Sequence, residues 1–174
     1  NIVTGYLDSA QRLIGENGLK DHDLRYEQAE EFLQLCYKFW ESSWEDDAVL
    51  KDKQQRIFTD PAKVHQVNHQ GQFYRSQGVF QVSPSVQRTP VLFQAGASPR
   101  GMVFATQHAE GMFIGGDHPD KIKKQVDQIR RQATEQGRDP EAIKIFVGIT
   151  VVTAETDELA QQKLEEYRFY ASPE

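Results

Sequence analysis

Three times in the second half of this chain a short apolar run stops at a glycine or a capping residue and gives way to a helical pattern. That alternation restricts the fold more than any other feature. Pro90-Val91-Leu92-Phe93-Gln94-Ala95, ended by Gly96, predicts a strand covered on both faces, and a helix follows from about Pro99 to His108. Gly111-Met112-Phe113-Ile114-Gly115-Gly116 repeats the pattern. His118-Pro119-Asp120 then opens a helix whose first turn has no need of the N–H that proline lacks. Ile122, Val126, Ile129 and Ala133 mark the buried face of that helix, and Gly137 closes it. Lys144 to Val152 predicts a third strand, and Thr156, Asp157 and Glu158 cap a last helix carrying Ala160, Leu164 and Tyr167.

The first half supplies one more such unit. Ile2 to Thr4 reads as a strand, and from Asp23 to Trp40 the residues Tyr26, Ala29, Leu33, Cys36, Tyr37 and Trp40 recur at helical spacing, with Asp21 or Asp23 as cap. Residues 41–88 break the period with Pro61, Gly71 and Gly78 and form an inserted excursion, in which Val64 to Val67 and Gln72 to Arg75 flank a hairpin turn at His69-Gln70-Gly71. Strand-helix repeated four times specifies an α/β fold with parallel strands and right-handed crossovers. Four units are half of a (β/α)8 barrel, and a complete barrel needs about 250 residues. A chain of 174 residues that opens directly on Asn1-Ile2-Val3-Thr4 is therefore expected to be a barrel segment within a longer protein, in preference to a self-contained open sheet.

Composition excludes several functions. A net charge of -6 with dispersed Lys and Arg provides no basic track for nucleic acid. No apolar run approaches the about 18 residues of a membrane span and no leader pattern is present, so a cytoplasmic protein is expected. The one cysteine, Cys36, lies in the helical stripe and reads as a packed thiol. The histidines show no spacing that sets two metal ligands on one face, so no metal is expected, and no nucleophile elbow or Walker loop occurs. His108 reads as a packed or capping imidazole, and His118, which follows Gly115-Gly116 at the ligand end of a strand, as a candidate pocket wall.

Ligands of parallel βα folds bind at the carboxyl ends of the strands. Gly96-Ala97-Ser98 places small residues, the start of a helix and a hydroxyl at such an end, which outlines an anion site. On spacing alone a tight turn at Gly96 and a simple cap at Ser98 are the favoured reading. His22-Asp23-Leu24-Arg25-Tyr26 gathers an imidazole, a cation and a phenol at another helix start; taken alone it reads first as a solvated helix start with Tyr26 in the core, and second as a set of phosphate donors.

Read together and in order, N-I-V-T at 1–4, H-D-L-R-Y at 22–26, S-W-E-D-D-A at 43–48, K-V-H at 63–65 and S-P-S-V-Q-R-T-P-V-L-F-Q-A-G-A-S at 83–98 resemble the bacterial luciferase-like monooxygenases. The resemblance is to the group containing the nitrilotriacetate, dibenzothiophene-sulfone and long-chain alkane monooxygenases, and it runs from Asn1 to the last helix. It implies strands four to seven of a TIM barrel, without strands one to three and eight, and with 41–88 as an insertion segment beside the active-site mouth. It further implies reduced FMN (FMNH2) as cofactor, supplied by a separate NAD(P)H-dependent flavin reductase, O2 as oxidant, a small organic substrate and a homo-oligomer.

By the same resemblance Asn1 and Val3 lie near the isoalloxazine or ribityl chain, Arg25 and Tyr26 near the phosphate, and Gly96, Ala97 and Ser98 around it; catalytic residues are not assigned. Gly5 departs from the family pattern, in which Ser commonly follows N-I-V-T. The motif combination favours FMN over a deazaflavin. A noncatalytic fragment or pseudoenzyme acting by association with another chain is the remaining alternative.

Overall fold

A computed structural model describes residues 1–96 and 98–171. In chain order the elements are α1 (Asp8–Leu13), α2 (His22–Tyr37), β1 (Val49–Asp52), β2 (Ile57–Thr59), β3 (Val67–Gln70), β4 (Arg75–Gly78), β5 (Phe93–Ala95), α3 (Pro99–His108), β6 (Gly111–Ile114), α4 (Pro119–Glu135), β7 (Lys144–Val147) and α5 (Asp157–Ala171). A π-helical turn, Lys38–Ser42, extends α2.

The alternation produces the expected parallel sheet. Its order is β5-β6-β7, and Ile2 joins the free side of β5 through one parallel bridge to Gln94. The expected strand at Ile2–Thr4 is thus reduced to that bridge, and the chain turns in a left-handed conformation at Gly5 (φ +69°). Two other strands are shorter than expected for local reasons. Pro90 has no N–H for a ladder, so β5 begins at Phe93. Val147 pairs with Ile114, the last residue of β6, so pairing stops there and does not run to Val152.

Helices α2, α3 and α4 all pack on one face of this sheet. Met112 and Ile114 meet Met102 and Ala105 of α3 and Ile129 and Ala133 of α4, with Ile122, Val126 and Ile145 at the margin. Tyr26, Ala29 and Leu33 of α2 meet Leu92 and Phe104, with Ile2, Cys36, Tyr37 and Trp40 against them. The apolar face expected of α2 is therefore the one it buries, and Asp21 is the cap, accepting from the Asp23 and Leu24 amides. Cys36 is half-buried, and burial pushes its thiol pKa up, away from nucleophile behaviour. The buried stripe expected on α5 is not realised: Ala160 and Leu164 are half-buried and Tyr167 is exposed, because no described strand lies beneath them.

Among the described residues no helix packs on the opposite face of the sheet. Phe93, Phe113 and Phe146 line it with ring centroids 5.3–5.8 Å apart. Phe113 and Phe146 remain 47% and 43% exposed. Gly111 has no side chain on this face because a Cβ there would lie 2.4 Å from the Phe93 ring.

Residues 41–88 form two antiparallel hairpins, β1-β2 and β3-β4, of which sequence patterning found only the second. Its turn lies at 71–74 and not at His69-Gln70-Gly71, and the cause is a buried carboxylate. Glu31 of α2, its side chain 12% exposed, accepts from the amides of Phe73 (2.9 Å) and Tyr74 (2.8 Å) and from His69 Nε2 (3.0 Å). Lys38 Nζ donates to His69 Nδ1, which leaves the ring proton on Nε2. Gly71 is required there because a Cβ would fall 1.9 Å from Glu31 Oε1. Burial alone would raise the Glu31 pKa, but the Phe73 amide, the His69 ring and the Tyr74 amide outweigh it and hold it at about 2.

The excursion leaves the end of α2 and returns at the start of β5, where the Thr89 amide donates to Glu41. Most of it therefore lies at the amino ends of the strands, and only the β3-β4 tip climbs along α2. The expected placement beside the strand-end mouth holds for that tip at most.

Candidate functional site

At the carboxyl end of β5 the chain turns through Gly96 to Ser98, which caps α3 by accepting from the Gly101 amide at 3.1 Å. Pro99 has no N–H and the Met102 amide donates to Ser98 O, so of the first-turn amides only that of Arg100 stays outside the helix's own bonding. Ser98 Oγ spends a lone pair on the cap and keeps its O–H to donate elsewhere. The cap and the anion readings of Ser98 are compatible.

Tyr26 reaches this turn from α2. It is buried, and its ring packs on Phe104 (5.8 Å) and His22 (5.2 Å). A Cβ on Gly101 would meet Tyr26 Oη at 2.6 Å and Ser98 Oγ at 2.9 Å, and a Cβ on Gly96 would meet Tyr26 Oη at 3.4 Å. Gly101, and less strictly Gly96, thus let the phenol and the hydroxyl close in on the start of α3.

Two residues of this cluster escaped sequence reading. Arg100 places its guanidinium 5.9 Å from the Tyr26 ring centroid. A cation in the first turn opposes the helix dipole, and that was its available signal. Gln94 is buried, its amide lies behind Gly96 with Nε2 3.6 Å from the place a Cβ would take, and its Oε1 has no hydrogen-bond partner among the described residues. A buried glutamine inside an apolar strand was visible in the sequence, but its direction was not.

The other expected site residues lie apart. Arg25 points to the opposite flank of α2, where its guanidinium donates to Gly5 O and its Nε is buried without a partner among the described residues. Gly5 adopts φ +69°, a left-handed conformation that favours glycine, which accounts for this departure from the family pattern. Arg25, Asn1 and Val3 line a cavity of about 410 Å³ with Thr4, Gln28 and Tyr74. Because α3 meets α2 through Tyr26 and through the Glu30–His108 and Tyr37–His108 contacts, this cavity occupies the flank away from α3, along the unpaired side of Asn1–Thr4. It is a groove at the sheet edge and not the strand-end turn. Tyr26, Gly96 and Ser98 are thus brought together and Arg25 is not among them. Ala97 lies outside the described residues.

His108 bridges Tyr37 Oη (3.1 Å) and Glu30 (2.9 Å) between two helices, a packed role as its position suggested. His118 caps α4 by accepting from the Asp120 amide and does not enter the cluster. Among the described residues no group of three His, Cys, Asp or Glu side chains could hold a metal ion. No described helix is long and apolar enough to cross a membrane.

Fold and site together define a parallel α/β unit with helices on one face and a cradle of hydroxyl donors at a strand end. Its family is established by comparison: the model of the luciferase-like monooxygenases matches residues 1–174, and the chain belongs to that family. It is 49% identical over its whole length to the dimethyl-sulfide monooxygenase of Hyphomicrobium sulfonivorans, of which it covers 36%. The crystal structure of a long-chain alkane monooxygenase superposes with a TM-score of 0.88 at 46% identity, over 99% of this chain and 40% of that one. A riboflavin lyase solved with modified FMN and riboflavin superposes with a TM-score of 0.83 at 43% identity, over 92% of this chain and 35% of that one. The chain therefore spans 35–40% of the length of these relatives. Dibenzothiophene-sulfone and nitrilotriacetate monooxygenases, which its motifs resemble, match as well.

Proposed function

We propose that this chain is the FMN-phosphate-gripping segment, about strands four to seven, of a (β/α)8-barrel monooxygenase that uses reduced FMN and O2 to insert one oxygen atom into a small organic substrate. The observation that carries the assignment is the convergence of Tyr26 Oη and the Ser98 hydroxyl at the start of α3, where Gly101 lets both approach closely. Helices on one sheet face and side-chain layers on the other match a barrel's outer ring and interior, whereas an open doubly wound sheet carries helices on both faces. The modified FMN named in the riboflavin lyase structure supports the choice of cofactor.

The residues fit a phosphate chemically. The Ser98 O–H, the Tyr26 O–H and the Arg100 amide are donors, the Arg100 guanidinium supplies charge, and the orphaned Gln94 amide stands behind the turn. Reduced FMN, when bound, supplies the electrons that activate O2. Asn1 and Val3 project on the helix-free sheet face, one residue either side of the Ile2 bridge, and there they border the space for the cofactor's ring and ribityl chain. Arg25 acts at one remove by holding the Gly5 carbonyl and so the end of that strand. The separate NAD(P)H-dependent flavin reductase, the homo-oligomeric state and the cytoplasmic location belong to the same proposal. The noncatalytic alternative has no observation in its favour.

The test is titration of the whole polypeptide with reduced FMN and, in parallel, with riboflavin, which lacks the phosphate. Ser98→Ala and Tyr26→Phe are expected to weaken FMN about 10-fold each and riboflavin hardly at all, as removal of a hydrogen bond to a charged group predicts. Equal losses for both ligands, or no saturable FMN binding, would sink the assignment.

A further inference from the structure

The β3-β4 hairpin has little apolar surface to hold it down. Along β3 only Val67 and His69 are buried, and β4 reads Arg75-Ser76-Gln77-Gly78 with no buried residue. Its base is fixed beside the end of α2, where Ser43 Oγ accepts from the Phe80 amide and Trp44 Nε1 donates to the Phe80 carbonyl. Gly78, at φ +153° and with nothing within 4 Å of a Cβ placed there, gives the backbone a pivot above that base. Polar contacts fix the tip: the three donors on Glu31, and Tyr74, which packs on Phe32 (5.8 Å) and accepts from Gln28 at 3.0 Å. An element with so little apolar burial belongs to the low-stability end of a fold, and its closed state depends on these contacts. The tip also borders the cradle. Arg100, whose guanidinium lies over the Tyr26 ring, lines a groove of about 520 Å³ together with Glu27 and Glu31 of α2 and with Gly71, Gln72 and Phe73 of the hairpin.

We infer that the β3-β4 hairpin is a strap along the outer side of the cradle and that Glu31 is its latch, a positioning residue that slows the escape of a phosphate held at Tyr26 and Ser98. The inference rests on the phosphate reading given above. A carboxylate suits the task because it accepts from three donors at once, and hydrogen bonds to a charged group are the strong ones. Without it the Phe73 and Tyr74 amides would lose their acceptor in a part-buried place, which favours the open strap. Gly71 is the strap's half of the latch. A Cβ there would fall on Glu31 Oε1, so an alanine should release the same contact from the other side without altering α2 or the cradle.

The experiment uses the whole polypeptide and two measurements. Amide hydrogen exchange reads the strap, and stopped-flow association and dissociation of FMN read entry to the cradle and escape from it. Glu31→Gln and Gly71→Ala are each expected to speed exchange across 67–78 about 10-fold or more, while the amides of α3, α4 and β6 keep the parent's rates. In both variants FMN dissociation is expected to speed about 3–10-fold, with association within about twofold of the parent. Saturating FMN should in turn slow exchange across 67–78 in the parent, because coupling between ligand and strap is reciprocal. Strap exchange at the parent's rate in both variants, or fast strap exchange with FMN leaving no faster, would overturn the inference while leaving the phosphate reading standing. Failure of the parent protein to bind FMN would remove that reading, and this inference with it.

Discussion

Replacing Gly101 with alanine sets two effects against each other. Gly101 sits in the first turn of α3, where alanine is the better helix former by about 1 kcal/mol, so a purely local view expects stabilisation. The added Cβ, however, would lie 2.6 Å from Tyr26 Oη and 2.9 Å from Ser98 Oγ. Neither neighbour yields cheaply. Tyr26 is 4% exposed and wedged between Phe104 and His22, and Ser98 Oγ is engaged as the helix cap. Overpacking of this kind costs about 1–3 kcal/mol, and loss of the cap costs about 1 kcal/mol more. Clash outweighs propensity, and the variant is expected to be less stable by about 1–3 kcal/mol, with FMN affinity falling at least 10-fold because both converging hydroxyls are displaced. Urea unfolding of the whole polypeptide, with and without saturating FMN, measures both effects. A Gly101→Ala protein that is more stable than its parent and binds FMN equally well would refute the claim that this glycine exists to clear the cradle.

Two further outcomes follow from the packing. The Glu31 carboxylate, held at about 2 against an ordinary 4.5, contributes stability that is complete above pH 4.5 and is lost as the pH falls toward 2. Amide shifts of Phe73 and Tyr74 should hold steady down to that window and move within it, and Glu31→Gln should abolish the transition; a transition near pH 6 would point to histidine instead. Ile129, fully buried between α4 and the sheet, should lose about 2–5 kcal/mol on replacement by alanine, measured by urea unfolding, and a loss under 1 kcal/mol would show that α4 is not packed as described.

Legibility in the sequence followed the range of the forces involved. Elements set by local pattern were readable: α3 runs from Pro99 to His108 as expected, α4 begins at Pro119, and the apolar stripes of α2 and α4 are the faces they bury. Motif order carried the family, because many weak local signals in one sequence are jointly specific. What the cluster at Ser98 contains was only half legible. Tyr26, Gly96 and Ser98 come together, but Arg25, next to Tyr26 in sequence, faces the other flank of α2, since adjacent helical residues point about 100° apart. Arg100 and Gln94, on the elements flanking Gly96, complete the group.

By itself, then, the sequence determined the alternation of strand and helix, the buried helix faces and the family, all of which depend on neighbours a few residues apart or on ordered motifs. Tertiary structure alone decided three things that depend on distant partners. Ile2 is tied to the sheet by one bridge, to Gln94, 92 residues away, and the β3-β4 turn moves to 71–74 because a carboxylate 42 and 43 residues away satisfies its amides. The third is the cradle itself, where Gly96 and Gly101 matter for what lies opposite them: one phenol from α2, brought in by the packing of Tyr26 on Phe104.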